Sequence, residues 1–421
     1  MNHHEELIKQ RLIQGRETIS ATESSESAIQ FDGLRYFSRL RDLTVSSRYQ
    51  PIVSIPHRRV VGYEALLSAH IMSELVSPVT AFNYIASIDH SLLSVDRLSR
   101  YIHLLNYPFK TADEWLFLNI GNESINNFKE SNNVIDDVIN TDIVPADNLV
   151  FEILEDQNQD MGCLQEFVQT CKRKNILVAV DDFGAGHSNF DRIWSLAPDI
   201  VKLDSSNIWS AQKDPKVRRL LPRMISLLRE AGAVVLIEGV ETYEQAQIAL
   251  DTEADLLQGF YFAKPQIDIS TVDQQGSIGE LIAAADNGVL STSQADTDKQ
   301  LSHQFARAAA QVIGGQTLPQ AFAGLVDEQY YRAYVLNQEG KQVDSYTLLD
   351  DQRIRFKSMR RCEGVNWLKR PYFANAMDSP GHIQICSPYM SLPEGRLTKT
   401  VSMAIHLRGQ RFVLCLDVAD Q

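Results

Sequence analysis

Eight carboxylates, Glu64, Glu152, Glu155, Asp181, Asp182, Asp204, Glu238 and Glu241, each sit at or just past the end of an apolar run. A lone acid in such a place is ordinarily a surface charge or a helix cap. A set of eight gathered at one rim is different, because like charges repel and raise one another's pKa. Divalent cations neutralise such a set, and oxygen donors of this kind suit Mg²⁺ or Mn²⁺ and phosphoester chemistry. Asn119, Lys202 and Gln258 fall in the same kind of position and add neutral and cationic groups to the candidate site.

The elements that must carry these groups are short and rich in β-branched residues. They are YQPIVSI (49–55), VVGYEAL (60–66), WLFLNI (115–120), LVFEIL (149–154), ILVAVDD (176–182), IVKLD (200–204), VVLIEG (234–239) and LLQGFYF (256–262). Helical stretches such as 160–174 and 215–232 separate most of them. Apolar strands alternating with helices predict a buried, mostly parallel sheet, and eight of them predict an α/β, TIM-like (β/α)8 barrel over residues 46–270. The connection from Pro56 to Arg59 is too short for a parallel crossover, so the first strand is expected to be antiparallel. In such barrels the chemistry lies at the C-terminal ends of the strands.

Read as text, residues 46–265 resemble the EAL-domain phosphodiesterases of bacterial cyclic-di-GMP signalling. Glu64-Ala65-Leu66 matches the motif that names the family. FLNIGNES places Asn119 in a ligand position, and FEILED resembles E-x-T-E through Glu152 and Glu155. DDFGAGHSN resembles the family's D-D-F-G-x-G-x-S loop, with Asp181, Asp182, Gly184 and Gly186. IVKLD brings Lys202 and Asp204, IEGVET brings Glu238 and Glu241, and LLQGFYFAKP brings Gln258, Gly259 and Pro265.

The resemblance implies hydrolysis of cyclic-di-GMP to linear pGpG with two Mg²⁺ or Mn²⁺ ions, which activate water and clamp the attacking and leaving oxygens. It implies that Glu64, Asn119, Glu152 and Asp181 hold one ion, and that Asp181 and Asp182 reach the second. Glu238 is the implied general base, Lys202 steadies the water or the developing charge, and Gln258 is a supporting polar contact. Leu66, Ser68, Gly259 and Pro265 are expected to meet substrate. Glu155, Asp204, Gly184, Gly186 and Glu241 support the loops. One position departs from the family: members read E-A-L-x-R, with the arginine on a ligand phosphate, and here that position is Ser68. A hydroxyl brings neither charge nor a bidentate fork. A receptor or dimerisation module that binds the dinucleotide without cleaving it is therefore the alternative. The text contains no GG[DE]EF motif, so synthesis of the dinucleotide is not expected.

The net charge of −14 is uneven. Residues 301–421 carry 14 Lys+Arg against 11 Asp+Glu, which leaves 26 against 43, a net −17, in residues 1–300. Such an acidic region is a poor general binder of nucleic acid. No apolar run reaches the length of a membrane span and no signal core is present, so a cytoplasmic location is expected. The five cysteines show no metal spacing and are expected to be reduced.

Residues 1–45 are expected to be a leader, with amphipathic helices possible over EELIKQRLIQ and LRYFSRLRDL. Residues 271–298 are read as the last barrel helix and a linker. Leu301, Phe305, Ala308, Ala309 and Val312 fall on one helical face that is expected to pack on the domain behind it. From Tyr330 onward the pattern is β, and residues 299–421 resemble PAS- and Cache-like sensor domains. In that reading Trp367, Arg370, Tyr372 and Asp417 line a pocket for a small carboxylate or amine, and regulation runs through a homodimer.

Overall fold

In the computed structural model of the protein, the structure describes residues 29–87, 92–108, 113–129, 133–154, 160–185, 190–269, 298–325, 329–348, 356–359 and 361–419. Glu155, Gly186, residues 1–28 and nearly all of the expected linker lie outside the described residues.

The N-terminal strands are β1 (Ile29–Phe31), β2 (Tyr36–Leu40), β3 (Leu43–Ser54), β4 (Arg59–Ile71) and β5 (Glu74–Val76). They are followed by β6 (Trp115–Asn119), β7 (Leu149–Leu154), β8 (Leu177–Phe183), β9 (Ile200–Leu203), β10 (Val234–Ile237) and β11 (Leu256–Leu257). All eleven form one sheet in the order β1-β2-β3-β11-β10-β9-β8-β7-β6-β4-β5, and β3 pairs with β4 as well. The eight strands β3, β4 and β6–β11 are those of the expected α/β barrel, and the double pairing of β3 closes the ring. β10 runs parallel to β9 and β11, whereas β11 meets β3 antiparallel, so the first strand is reversed as its short connection requires.

Two expectations fail in detail. LRYFSRLRDL is not a helix: β2 hairpins onto β3, pairing Leu40 with Leu43 and Ser38 with Val45. Leu40, Leu43 and Val45 are fully buried, in a small core with Ile85 and Ile102. Tertiary burial outweighs the helical spacing. The run at 256–262 is a strand only over Leu256–Leu257. Beyond it the chain folds back on Val240, which donates its N–H to the Gln258 carbonyl and accepts from the Tyr261 N–H. A Cβ on Gly259 would lie 2.0 Å from the Val240 carbonyl oxygen, so only glycine permits this approach.

Two compact units divide the chain. One holds β1, β2, most of β3, β4 from Tyr63 onward and β5–β7; the other holds Pro51–Gly62, β8 from Ala179 onward, β9–β11 and the C-terminal sheet. That sheet is built from β12 (Tyr330–Leu336), β13 (Gln342–Thr347), β14 (Gln384–Ile385), β15 (Tyr389–Met390), β16 (Leu397–Leu407) and β17 (Gln410–Ala419), in the order β13-β12-β17-β16-β14, with β15 also on β16. Its hairpins turn through left-handed backbone, with Gly340 at φ 73° and Arg408-Gly409 at 50° and 82°. The helix Asp298–Ile313 packs Phe305, Ala308, Ala309 and Val312 against Val401, Ile405, Leu414 and Leu416 of this sheet. No helix among the described residues is long and apolar enough to cross a membrane.

Candidate active site

β8 carries the first part of the site. In a regular strand Asp181 and Asp182 would point to opposite faces. Here the pairing of β8 with β9 shifts register between Val180 and Phe183, and Asp182 has φ 56°. A bulge with a non-glycine residue in the left-handed region is costly and is concentrated at functional sites. The result is that oxygens of Asp181, Asp182 and Glu238 lie within 4.8 Å of one another. Glu238 follows β10 directly and continues its ladder by donating its N–H to the Leu203 carbonyl.

Lys202, in β9, is 1 % exposed. Its Nζ lies 2.7 Å from Glu238 Oε1 and 3.0 Å from Asp181 Oδ1. An unpaired ammonium would be too costly to bury so deeply, and the two carboxylates would repel without it. Three oxygen-bearing acids at this spacing also fit a hard divalent cation by donor chemistry.

Glu64, Asn119 and Glu152 form a second group. Asn119 donates from Nδ2 to Glu64 Oε1 at 3.3 Å. Asn119 and Glu152 are register partners at the ends of the parallel pair β6–β7, and Glu152 accepts the Ile120 N–H through its carbonyl at 2.9 Å. Glu64 and Glu152 are buried and Asn119 is exposed.

The supporting residues divide by role. Asp204 caps the helix Ser205–Lys213 by accepting the Ser206 N–H. Gly184 has φ 98°, and a Cβ there would meet Asn207 Nδ2 at 2.4 Å. Asn207 in turn donates to the Phe183 and Asp204 carbonyls, so the turn after β8 is fixed from below. Glu241 is exposed and its N–H is taken by Gln245 Oε1, which makes it part of a helix start. Gln258 and Gly259 are buried, and Leu66 and Pro265 are half-buried.

The C-terminal residues are each engaged by protein. Asp417 accepts from Thr400 Oγ1 at 2.7 Å and Tyr334 Oη at 3.0 Å, and pairs with Arg332 at 3.3 Å. Burial raises its carboxyl to about 6 against the opposing charge of Arg332. Trp367 donates to Gln342. Arg370 reaches Asp255, just before β11, at 2.8 Å, and Arg229 lies 3.7 Å from the other oxygen. Arg370 and Tyr372 line a cleft with Arg229, Asn375 and Tyr389 that encloses about 700 Å³, part of it open to solvent. Asp417 does not line it, so the four residues expected to share one pocket are distributed over different contacts.

Sequence reasoning missed the contacts that join this sheet to Pro51–Gly62. His57 Nε2 donates to the Met359 carbonyl at 3.1 Å while its Nδ1 accepts from Ser54. Arg59 donates to the Ser358 carbonyl, and Asn366 donates its N–H to the Pro56 carbonyl. Partners some 300 residues apart leave no local spacing to read.

The strands, their polar ends and the reversed first strand define an α/β barrel with an acidic, lysine-bridged site, and comparison gives that class a name. The chain belongs to the EAL-domain family: the family model matches residues 36–265, more than half of the chain. The match begins within β2, ahead of the expected boundary at residue 46. Among relatives, the signaling protein YkoW of Bacillus subtilis is 26 % identical over 226 residues, covering 52 % of this chain and 28 % of YkoW. The probable cyclic di-GMP phosphodiesterase PdeG of Escherichia coli is 32 % identical over 127 residues, 30 % of this chain and 25 % of PdeG. This chain thus spans about a quarter of the length of each. The EAL-domain protein YkuI of B. subtilis is 23 % identical over 380 residues, covering 84 % of this chain and 90 % of YkuI. The crystal structure of YkuI with c-di-GMP and calcium aligns at a TM-score of 0.48 and 22 % identity, covering 90 % of this chain and 96 % of that one.

Proposed function

We propose that the protein hydrolyses cyclic-di-GMP to linear pGpG in a divalent-metal-dependent reaction. The observation that carries this reading is the meeting of Asp181, Asp182 and Glu238 within 4.8 Å, bridged by the buried Lys202. Binding alone does not require a strained Asp182 beside a lysine-linked pair of acids.

When bound, Mg²⁺ or Mn²⁺ would supply Lewis-acid stabilisation of the phosphoryl oxygens and a lowered pKa for water. Glu64, Asn119, Glu152 and Asp181 would hold one ion, and Asp181 with Asp182 the other. Asn119 suits such a place because its amide oxygen coordinates without adding charge. Glu238 accepts the proton of the attacking water. Lys202 holds Glu238 and Asp181 in place and offsets negative charge as the P–O bond to the 3′ oxygen breaks. Gln258 and Gly259 present polar and backbone groups to the dinucleotide, with Leu66, Ser68 and Pro265 at its edge. The C-terminal sheet, read as PAS- or Cache-like, regulates the barrel through its contacts with His57, Arg59 and Asp255, in a homodimer and in response to a small ligand.

Ser68 favours a second reading, in which the barrel binds the dinucleotide without turning it over. Chromatography of cyclic-di-GMP incubated with the pure protein in Mg²⁺ or Mn²⁺ separates the two. Appearance of pGpG that is abolished by EDTA supports the enzyme, and binding without product supports the receptor.

A further inference from the structure

We infer that Arg48 supplies the phosphate-binding guanidinium that position 68 lacks. The inference rests on reading the barrel as a cyclic-di-GMP site. Arg48 lies in β3 and Ser68 in β4. Arg48 Nε donates to Ser68 Oγ at 3.3 Å, so the guanidinium stands beside the position where the family motif places its arginine. Glu64 and Ser68 are four residues apart on one strand, and the two-residue period of a strand puts both on one face. Arg48 therefore joins the face that carries Glu64 and its partner Asn119.

Charge singles out the same residue. Several other buried or half-buried cations are already matched to acids: Arg97 to Asp137, Arg100 to Asp96, and Lys202 to Asp181 and Glu238. Arg48 is half-buried, and among the described residues its one polar contact is the neutral Ser68 hydroxyl. A guanidinium has five donors in a planar fork that fits a phosphate bidentately, and here one is spent. His70, two residues past Ser68, has its pKa lowered by burial and then by the charges of Arg48 and Arg35, which places the Arg48 charge on this side of the strand pair. Arg58 and Arg59 do not fill this role. Arg59 is bound to the Val60 and Ser358 carbonyls, and Arg58 lines a cleft with Trp367 and Asn366.

The test uses the full chain and cyclic-di-GMP. Affinity is measured by calorimetry with Ca²⁺ present, and KM and kcat with Mg²⁺, for wild type, Arg48→Ala, Arg48→Lys and Arg48→Ala combined with Ser68→Arg. Arg48→Ala is expected to weaken binding roughly 10- to 100-fold, mainly in KM, as for loss of a charged hydrogen bond. Arg48→Lys should fall between, because it keeps charge and loses the fork. The double variant should regain most of the affinity, which a purely structural role for Arg48 does not predict. Wild-type affinity in Arg48→Ala, or no rescue in the double variant, overturns the assignment and leaves the phosphodiesterase reading standing. A folded wild type that does not bind the dinucleotide overturns both.

Discussion

Lys202 Nζ lies 2.7 Å from Glu238 Oε1, in a chain whose first 300 residues are strongly acidic. The same ammonium holds Asp181 at 3.0 Å. It is the internal counter-charge of the acid cluster, and several consequences follow from removing it or its neighbours.

Lys202→Met leaves Asp181 and Glu238 facing one another without a cation. Metal-free protein should lose roughly 3–5 kcal/mol of stability, the range for breaking a buried pair. Mg²⁺ should recover part of that loss by supplying the missing positive charge, and more so than in the wild type. Urea denaturation with EDTA and with Mg²⁺ measures both. Equal stability of variant and wild type in EDTA contradicts the role.

Glu238→Gln keeps the shape of the side chain and removes its basicity. The expected result is a kcat lower by about 10²- to 10⁴-fold with KM little changed, the signature of a lost general base. A variant affected only in KM would reassign Glu238 to substrate binding.

Asp255 is fully buried between Arg370 and Arg229, and one carboxylate oxygen also accepts the Val235 N–H at 3.0 Å. Burial works against the charge of Arg370, but Asp255 outweighs it and holds the guanidinium pKa above its ordinary value. Asp255→Ala strands that charge, and a loss of roughly 3–5 kcal/mol is expected by chemical denaturation. A loss below about 1 kcal/mol, the range of surface pairs, contradicts this account.

Acid should weaken the same region through His57. Burial, then the charge of Arg59, lowers its pKa from 6.5 to about 3, so the folded protein holds it neutral. The stability tied to this neutral ring is present above pH 6.5 and is lost as pH falls toward 3, by up to about 1.4 kcal/mol per pH unit. His103, which burial also lowers to about 3, behaves alike. Asp417 runs the other way, since its raised pKa favours the folded state below 3.8 and that advantage is gone above about 6. The difference between wild type and His57→Gln isolates one group. It should change steadily between pH 6.5 and 5 if His57 is neutral when folded, and stay flat if it is not.

Much of the barrel is legible in the sequence because its strands are buried on both faces and read as unbroken apolar runs, such as WLFLN and IVKL. Their polar ends are legible because acids recur at the close of one such run after another, which a lone surface charge or helix cap does not explain. Asp182 shows where that reading stops. The sequence places it beside Asp181, but the bulge and left-handed backbone that bring both carboxylates together are set by the pairing of β8 with β9. Leu34, Phe37 and Leu40 keep helical spacing, yet Phe37 and Leu40 belong to β2, because Leu43 and Val45 offer a hairpin partner. Arg48 gave no signal at all. Its place beside Ser68 depends on β3 and β4 being neighbours, and the spacing of the two residues in the chain says nothing of that.

The most direct test of the central claim is a single-turnover assay with enzyme in excess over cyclic-di-GMP in Mg²⁺, comparing wild type with Glu64→Ala and following pGpG by chromatography. Excess enzyme removes the penalty of weak binding and leaves the chemistry exposed. Wild type is expected to yield pGpG, and the variant to lose at least about 10²-fold in rate. Intact cyclic-di-GMP after prolonged incubation with folded, dinucleotide-bound wild type would contradict it.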